Sequence, residues 1–156
     1  MPTRNPDSPG VLVWPPLLYG GAFLLGLVLG RLLPLGRLPA VPARIVGGLC
    51  LAAGLAIAWW GEQVMQRAGT NVRPDLPSTA LVTDGPFRYT RNPLYIGLTL
   101  LYAGVALLIP STWPLLLLVP VLLLMRWGVV AREERYLEHK FGEPYRTYLG
   151  RVRRWL

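Results

Sequence analysis

The sequence predicts an all-α, polytopic integral membrane protein: about four transmembrane helices, then cytoplasmic C-terminal amphipathic helices. Three observations carry this. Hydrophobic residues make up 53% of the 156-residue chain, and mean hydropathy is +0.39, high for a small soluble domain. Charge is missing from long stretches: Ile45 to Gly61 holds none over 17 residues, and Pro93 to Met125 none over 33. The charges that exist, 16 Lys+Arg against 8 Asp+Glu for a net +8, gather between those stretches.

A bilayer core of ~30 Å needs ~20 apolar residues per helix. The first span is read at 11–33, with Arg31 near its end, and the second at 44–65. The first is too long for a signal peptide and lacks a small-residue cleavage site. The long uncharged stretch is divided by Pro110-Ser-Thr-Trp-Pro114, a turn signal, into spans at 93–109 and 114–131 that form a hairpin. Soluble helices of such length would need polar faces, and the apolar runs do not alternate as strands do. The chain is therefore expected to be one membrane domain over 1–156. Two N-terminal spans occupy 1–65, and 66–156 carry the polar sequence.

Orientation follows from the basic residues. With four spans, Arg4, Arg67, Arg73, Arg88, Arg91, Arg132, Arg135, Lys140, Arg146, Arg151, Arg153 and Arg154 share one side. Arg31, Arg37 and Arg44 lie on the other. Both termini and the 66–92 loop are thus expected in the cytoplasm, in a bacterial or archaeal inner (plasma) membrane. The +8 charge then reflects orientation. Carboxylates are mixed among the basic residues and no recognition module is visible, which argues against nucleic acid.

Other classes are excluded by counting. One cysteine, Cys50, and one histidine, His139, leave no disulfide and no Cys/His metal cluster. No glycine-rich phosphate or dinucleotide loop occurs.

Two polar blocks remain, 66–92 and 132–156. The first ends in Asp84-Gly-Pro-Phe-Arg-Tyr-Thr-Arg-Asn-Pro-Leu-Tyr95. Asp84-Gly85-Pro86 predicts a turn. Asn92-Pro93 predicts a helix start, with the Asn side chain capping free N–H groups and Pro at the first helical position. Arg88, Tyr89 and Arg91 crowd the membrane entry, either as an interfacial belt or as a site. On the fourth helix Arg126 lies 13 residues from Trp113, ~20 Å along the axis. An arginine at that depth is a functional candidate by default. Seven residues on, Glu133 should return to nearly the same face, giving a stripe of Arg126, Val129, Val130 and Glu133. Glu134 and Glu138 read as a solvated face. Gly142 should end this helix and Pro144 start another. In that last helix Tyr145, Tyr148 and Val152 recur at helical spacing, as in a segment lying along the membrane surface. Gly26, Gly30, Gly47, Gly48 and Gly54 are expected to allow close packing within the bundle.

The stretch Leu81 to Gly97, with its Arg91-Asn-Pro-Leu-Tyr95 element, resembles the isoprenylcysteine carboxyl methyltransferase family. So do the Glu133-Glu134 pair one helical hairpin later and Phe141-Gly-Glu-Pro-Tyr145-Arg-Thr-Tyr148. Phospholipid methyltransferases share this general plan. The resemblance covers roughly 79–155. It implies S-adenosylmethionine as methyl donor, contacted by Thr79, Ala80, Leu81, Val82, Phe87, Asn92, Pro93, Leu94, Tyr95 and Glu133. Glu133 suits the cationic part of the donor, Arg91 the anionic part, and Phe87 and Tyr95 its sulfonium or adenine. Asn92 stands where eukaryotic members carry His. Val129 stands where the resemblance implies a substrate-binding arginine, with Arg126 and Arg132 one turn away on either side. Arg91, Glu133 and Arg126 are therefore the candidate catalytic residues, and Arg126, Val129 and Arg132 the candidate substrate contacts. The expected activity is methyl transfer to a lipophilic or small apolar acceptor, an isoprenylcysteine-like carboxylate or a phospholipid amine. A non-enzymatic membrane scaffold binding anionic lipid or a protein is the alternative. The acceptor atom and the oligomeric state stay open.

Overall fold

A computed structural model describes residues 8–36, 38–109 and 111–156. Arg4, Arg37 and Pro110 of the topology reading lie outside the described residues. Among those described there is no strand, and six helices follow one another. They are α1 (Pro15–Leu32), α2 (Ala40–Arg67), α3 (Pro93–Leu108), α4 (Trp113–Leu124), α5 (Ala131–Phe141) and α6 (Glu143–Arg151). A π-helical segment, Met125–Val130, joins α4 to α5, so Trp113–Phe141 is one continuous helix. Pro15–Leu32, Ala40–Arg67 and Trp113–Phe141 are long and apolar enough to cross a membrane, whereas α3 is a shorter apolar helix.

Several boundaries differ from those expected. The first helix begins at Pro15 rather than 11. Pro15 and Pro16 fit the first turn, and the residue before a proline is biased away from helix. The second begins at Ala40, with Pro42 tolerated near its start. The fourth runs on past the span end at 131 to Phe141, as expected, its apolar half passing directly into a charged half. Gly142 does end it, at φ 58, and Pro144 lies in the first turn of α6.

The expected hairpin of third and fourth helices is not the main packing unit. α3 lies chiefly along α2, and α4 along α1. The α2–α3 seam is made by glycines seven residues apart. A Cβ added at Gly54 would stand 2.8 Å from the Gly97 carbonyl oxygen, and one at Gly104 2.9 Å from that of Gly47. Without a hydrophobic drive between apolar helices in lipid, such backbone approach supplies the packing. On the other pair, Gly26 meets Pro114 and Gly30 meets Ser111. Between the pairs lies a core of Tyr19, Tyr102, Ala106, Val121, Met125 and Val129. The Tyr102 ring meets Tyr19 and Phe23 edge-on, and its hydroxyl donates to the Pro114 carbonyl at 2.8 Å.

The π segment overturns the predicted stripe. Each of its turns carries a residue more than an α turn, so whatever follows is rotated by ~100°. Arg126 is exposed beside Trp127, Val129 and Val130 are buried at 1% and 0% exposure, and Glu133 faces elsewhere. Gly128 within this segment offers its carbonyl to the Leu12 N–H at 3.1 Å. Arg132 Nη1 donates to the Gly10 carbonyl at 3.2 Å. These two bonds clip the chain before α1 onto the long helix.

Candidate functional site

At one end of the bundle, where the glycine seam stops, the helices enclose a cavity of ≈ 380 Å³, within the range of small-molecule sites. Its walls come from five parts of the chain. The start of α1 gives Trp14, Pro15 and Pro16. The end of α2 gives Ala58 and Met65. The loop before α3 gives Thr70 to Pro74, Ser78, Ala80, Leu81, Val82 and Phe87. The start of α3 gives Arg91 to Tyr95, Leu98 and Leu101. The last helices give Glu133, Glu134, Leu137, Tyr145 and Tyr148.

The loop is shaped locally. Asp84-Gly85-Pro86 does turn: Gly85 takes φ +59 against Val64 and Trp60, and a 3-10 turn over Gly85–Arg88 buries Phe87. Earlier, Thr79 donates its hydroxyl to the Gly69 carbonyl at 2.6 Å and its N–H to Thr70 Oγ1 at 3.0 Å. Thr79 therefore faces its own loop and is not part of the cavity wall, although Ser78 and Ala80 on either side are.

Pro93 opens α3 as expected, but the Asn92 side chain makes no cap. Its amide is drawn away: Nδ2 donates to the Arg154 carbonyl at 2.9 Å. Thr90 Oγ1 donates to the same carbonyl at 3.1 Å, and the Arg91 N–H donates to the Arg153 carbonyl at 3.0 Å. The segment after α6 thus serves as partner to the entry of α3.

Two carboxylates meet this entry in different ways. Glu133 accepts a hydrogen bond from the Tyr95 hydroxyl at 2.8 Å. Glu134 is not on a solvated face, contrary to its sequence reading. Its side chain is 13% exposed and binds Arg91 Nη1 at 3.1 Å. It also takes both arms of Arg154, Nε at 3.1 Å and Nη2 at 2.5 Å. Arg91 lines the cavity, and its Nε is buried with no hydrogen-bond partner among the described residues. Such an orphaned donor is costly unless a ligand satisfies it.

α6 turns its tyrosines inward. Tyr145 and Tyr148 are 1% and 7% exposed, and the Tyr148 hydroxyl donates to the Phe87 carbonyl at 2.7 Å. Burial pushes both phenols up in pKa, so they stay neutral donors. Arg146, Arg151 and Arg153, rather than the tyrosines, are exposed.

Of the sequence-selected residues, the cavity gathers Ala80, Leu81, Val82, Phe87, Arg91, Asn92, Pro93, Leu94, Tyr95 and Glu133. Thr79, Arg126, Val129 and Arg132 are not among its walls: Arg126 points outward, Val129 fills the core, and Arg132 holds Gly10. Sequence reasoning missed Trp14 and Arg73, which stack at 6.0 Å across the cavity, and Met65. It also missed the Glu134–Arg154 pair. The aromatic spacing of Tyr145 and Tyr148 was a usable signal for a buried face. Nothing local marks Trp14 as near Arg73.

A helical membrane fold with a largely apolar cavity, into which a few polar side chains converge, defines the class: a membrane protein with a cavity of small-molecule size. Residues 42–144 match the phospholipid methyltransferase family, and the chain belongs to that family, whose members are membrane methyltransferases. The match runs from the first turn of α2 to that of α6, so it reaches further toward the N-terminus than the motifs between 79 and 155. The chain is also 38% identical over 63 residues to an uncharacterized protein of Haemophilus influenzae, covering all of that protein and 40% of this chain.

Proposed function

We propose that this protein is an S-adenosylmethionine-dependent methyltransferase that binds its donor in the ≈ 380 Å³ cavity and methylates a lipophilic or small apolar acceptor. The acceptor classes favoured are a phospholipid amine and an isoprenylcysteine-like carboxylate. One observation carries the reading. Residues of opposite charge type, Glu133 and Arg91, line one cavity together with Phe87 and Tyr95. A donor bearing an ammonium, a carboxylate, a sulfonium and an adenine asks for that set.

S-adenosylmethionine would supply an electrophilic methyl group on its sulfonium. Glu133, held by Tyr95, would attract the cationic part. Arg91 would meet the carboxylate, and Phe87 and Tyr95 would offer ring faces. Ala80, Leu81, Val82, Asn92, Pro93 and Leu94 would complete the cradle. The apolar walls at Trp14, Pro15, Ala58, Met65, Leu98 and Leu101 suit the acceptor. Transfer then depends on alignment in a dry pocket. Where the acceptor is an amine, Glu133 or Glu134, both lining the cavity, would take its proton.

In this reading 1–156 form one membrane domain. α3, ~24 Å long at 1.5 Å per residue and laid along α2, serves as a fourth, short span. The 66–92 loop, α5, α6 and both termini face the cytoplasm, with the basic residues.

Calorimetry on the protein in detergent tests the donor site. S-adenosylmethionine and S-adenosylhomocysteine should bind the wild type and the Cys50→Ala variant, and Glu133→Ala should abolish binding. Absence of any binding to the wild type would sink the proposal and leave the scaffold reading. Incubation with labelled donor and a membrane lipid extract then identifies the acceptor.

A further inference from the structure

The polar cluster behind the cavity contains two cations and one anion. Glu134 accepts from Arg91 on one side and from Arg154 on the other. Arg154 takes both carboxylate oxygens in a bidentate fork, the stronger geometry of the two. Arg91 receives only the share of Glu134 that Arg154 leaves. The backbone of the same segment holds the loop that carries Arg91, through the Arg153 and Arg154 carbonyls.

We infer that Arg154 is a positioning residue for the donor site: by claiming the Glu134 carboxylate, it leaves Arg91 net positive toward the cavity and so tunes the site for a ligand carboxylate. The inference rests on the donor reading above. Arg154 does not line the ligand cavity itself, so its effect passes entirely through Glu134 and Arg91. Without it, Glu134 turns wholly to Arg91 and neutralises it. With Glu134 also removed, Arg91 regains its charge. A merely structural brace predicts neither the reversal nor any preference among ligands.

The test compares two ligands that share the adenosine and differ in the amino-acid tail, S-adenosylhomocysteine and 5′-methylthioadenosine, by calorimetry on the full chain in detergent. In Arg154→Ala the dissociation constant for S-adenosylhomocysteine should rise about tenfold, the scale of a charge-assisted hydrogen bond, with methylthioadenosine changing less than about twofold. Arg154→Gln, which keeps a donor without the charge, should show the same selective loss, and Arg154→Lys should recover most of it. The double variant Glu134→Ala/Arg154→Ala should bind S-adenosylhomocysteine more tightly than Arg154→Ala alone. Equal loss of both ligands, or a double variant no tighter than the single, overturns the inference while the donor reading stands. A wild type that binds neither ligand overturns the donor reading itself.

Discussion

The two ends of α3 are held by opposite means. Further along, Gly97 and Gly104 bring the α3 backbone close to Gly54 and Gly47 of α2, with Leu51, Ala58 and Leu101 packed against the same glycines. At its start, Arg91, Asn92 and Tyr95 are fixed by hydrogen bonds to Arg153, Arg154 and Glu133. The first contact is made where lipid surrounds the helices, so only close packing can hold them. The second is made where chains leave the apolar layer and polar partners exist. Leu94 still packs on Gly61 of α2, while Tyr95, Leu98 and Leu101 line the cavity. Tightness and hollowness are thus neighbouring consequences of which residue faces α2.

Substitutions can break or sharpen this contrast. The largest effect is expected at the seam. Gly104→Leu places a branched side chain 2.9 Å from the Gly47 carbonyl oxygen and should cost about 3 kcal/mol, the upper range for overpacking, read as a large fall in the unfolding midpoint in detergent. A small change there would show that α2 and α3 separate freely. Next comes Tyr95→Phe, which deletes the bond to Glu133. Donor affinity should fall by about 2 kcal/mol, as for a hydrogen bond to a charged group, with the unfolding midpoint nearly unchanged. A stability loss without a binding loss would move Tyr95 from the site to the scaffold. Asn92→Ala removes the bond to the Arg154 carbonyl and should cost about 1 kcal/mol of stability, read as a modest fall in the unfolding midpoint in detergent. The smallest is Gly48→Ala. No atom lies within 4 Å of the added Cβ, so stability should hold or rise by a few tenths of a kcal/mol from helix propensity. A clear loss would mean that Gly48 packs against something in the membrane.

Much of the fold was legible because its signals are local. Uncharged runs located the spans, Pro93 and Gly142 set two boundaries, and small residues announced close packing. Pro15-Pro16 carried the true start of α1, a rule outweighed by the apolar run that precedes it. The π segment was illegible, since Gly128 alone does not specify a π register, and with it went the expected alignment of Arg126 and Glu133. Val129 was a substrate contact only through the resemblance, and it lies in the core. The site's near residues, Phe87 and Arg91 to Tyr95, sit in one continuous motif. Its distant ones were invisible, because no local pattern couples Arg154 to Glu134, 20 residues apart, or Trp14 to Arg73.

The sequence alone determined a membrane-spanning, all-helical chain with its charges outside the apolar runs, because hydrophobicity and charge are properties each residue carries wherever it goes. It also determined the family, through motifs whose residues are adjacent. The tertiary structure decided which helices pair, which carboxylate faces the cavity and which binds arginines, and that Asn92 bonds the Arg154 carbonyl rather than its own helix. Those outcomes depend on rotation about helix axes and on partners brought from far along the chain. A single residue of π-helical register turns everything beyond it by ~100°.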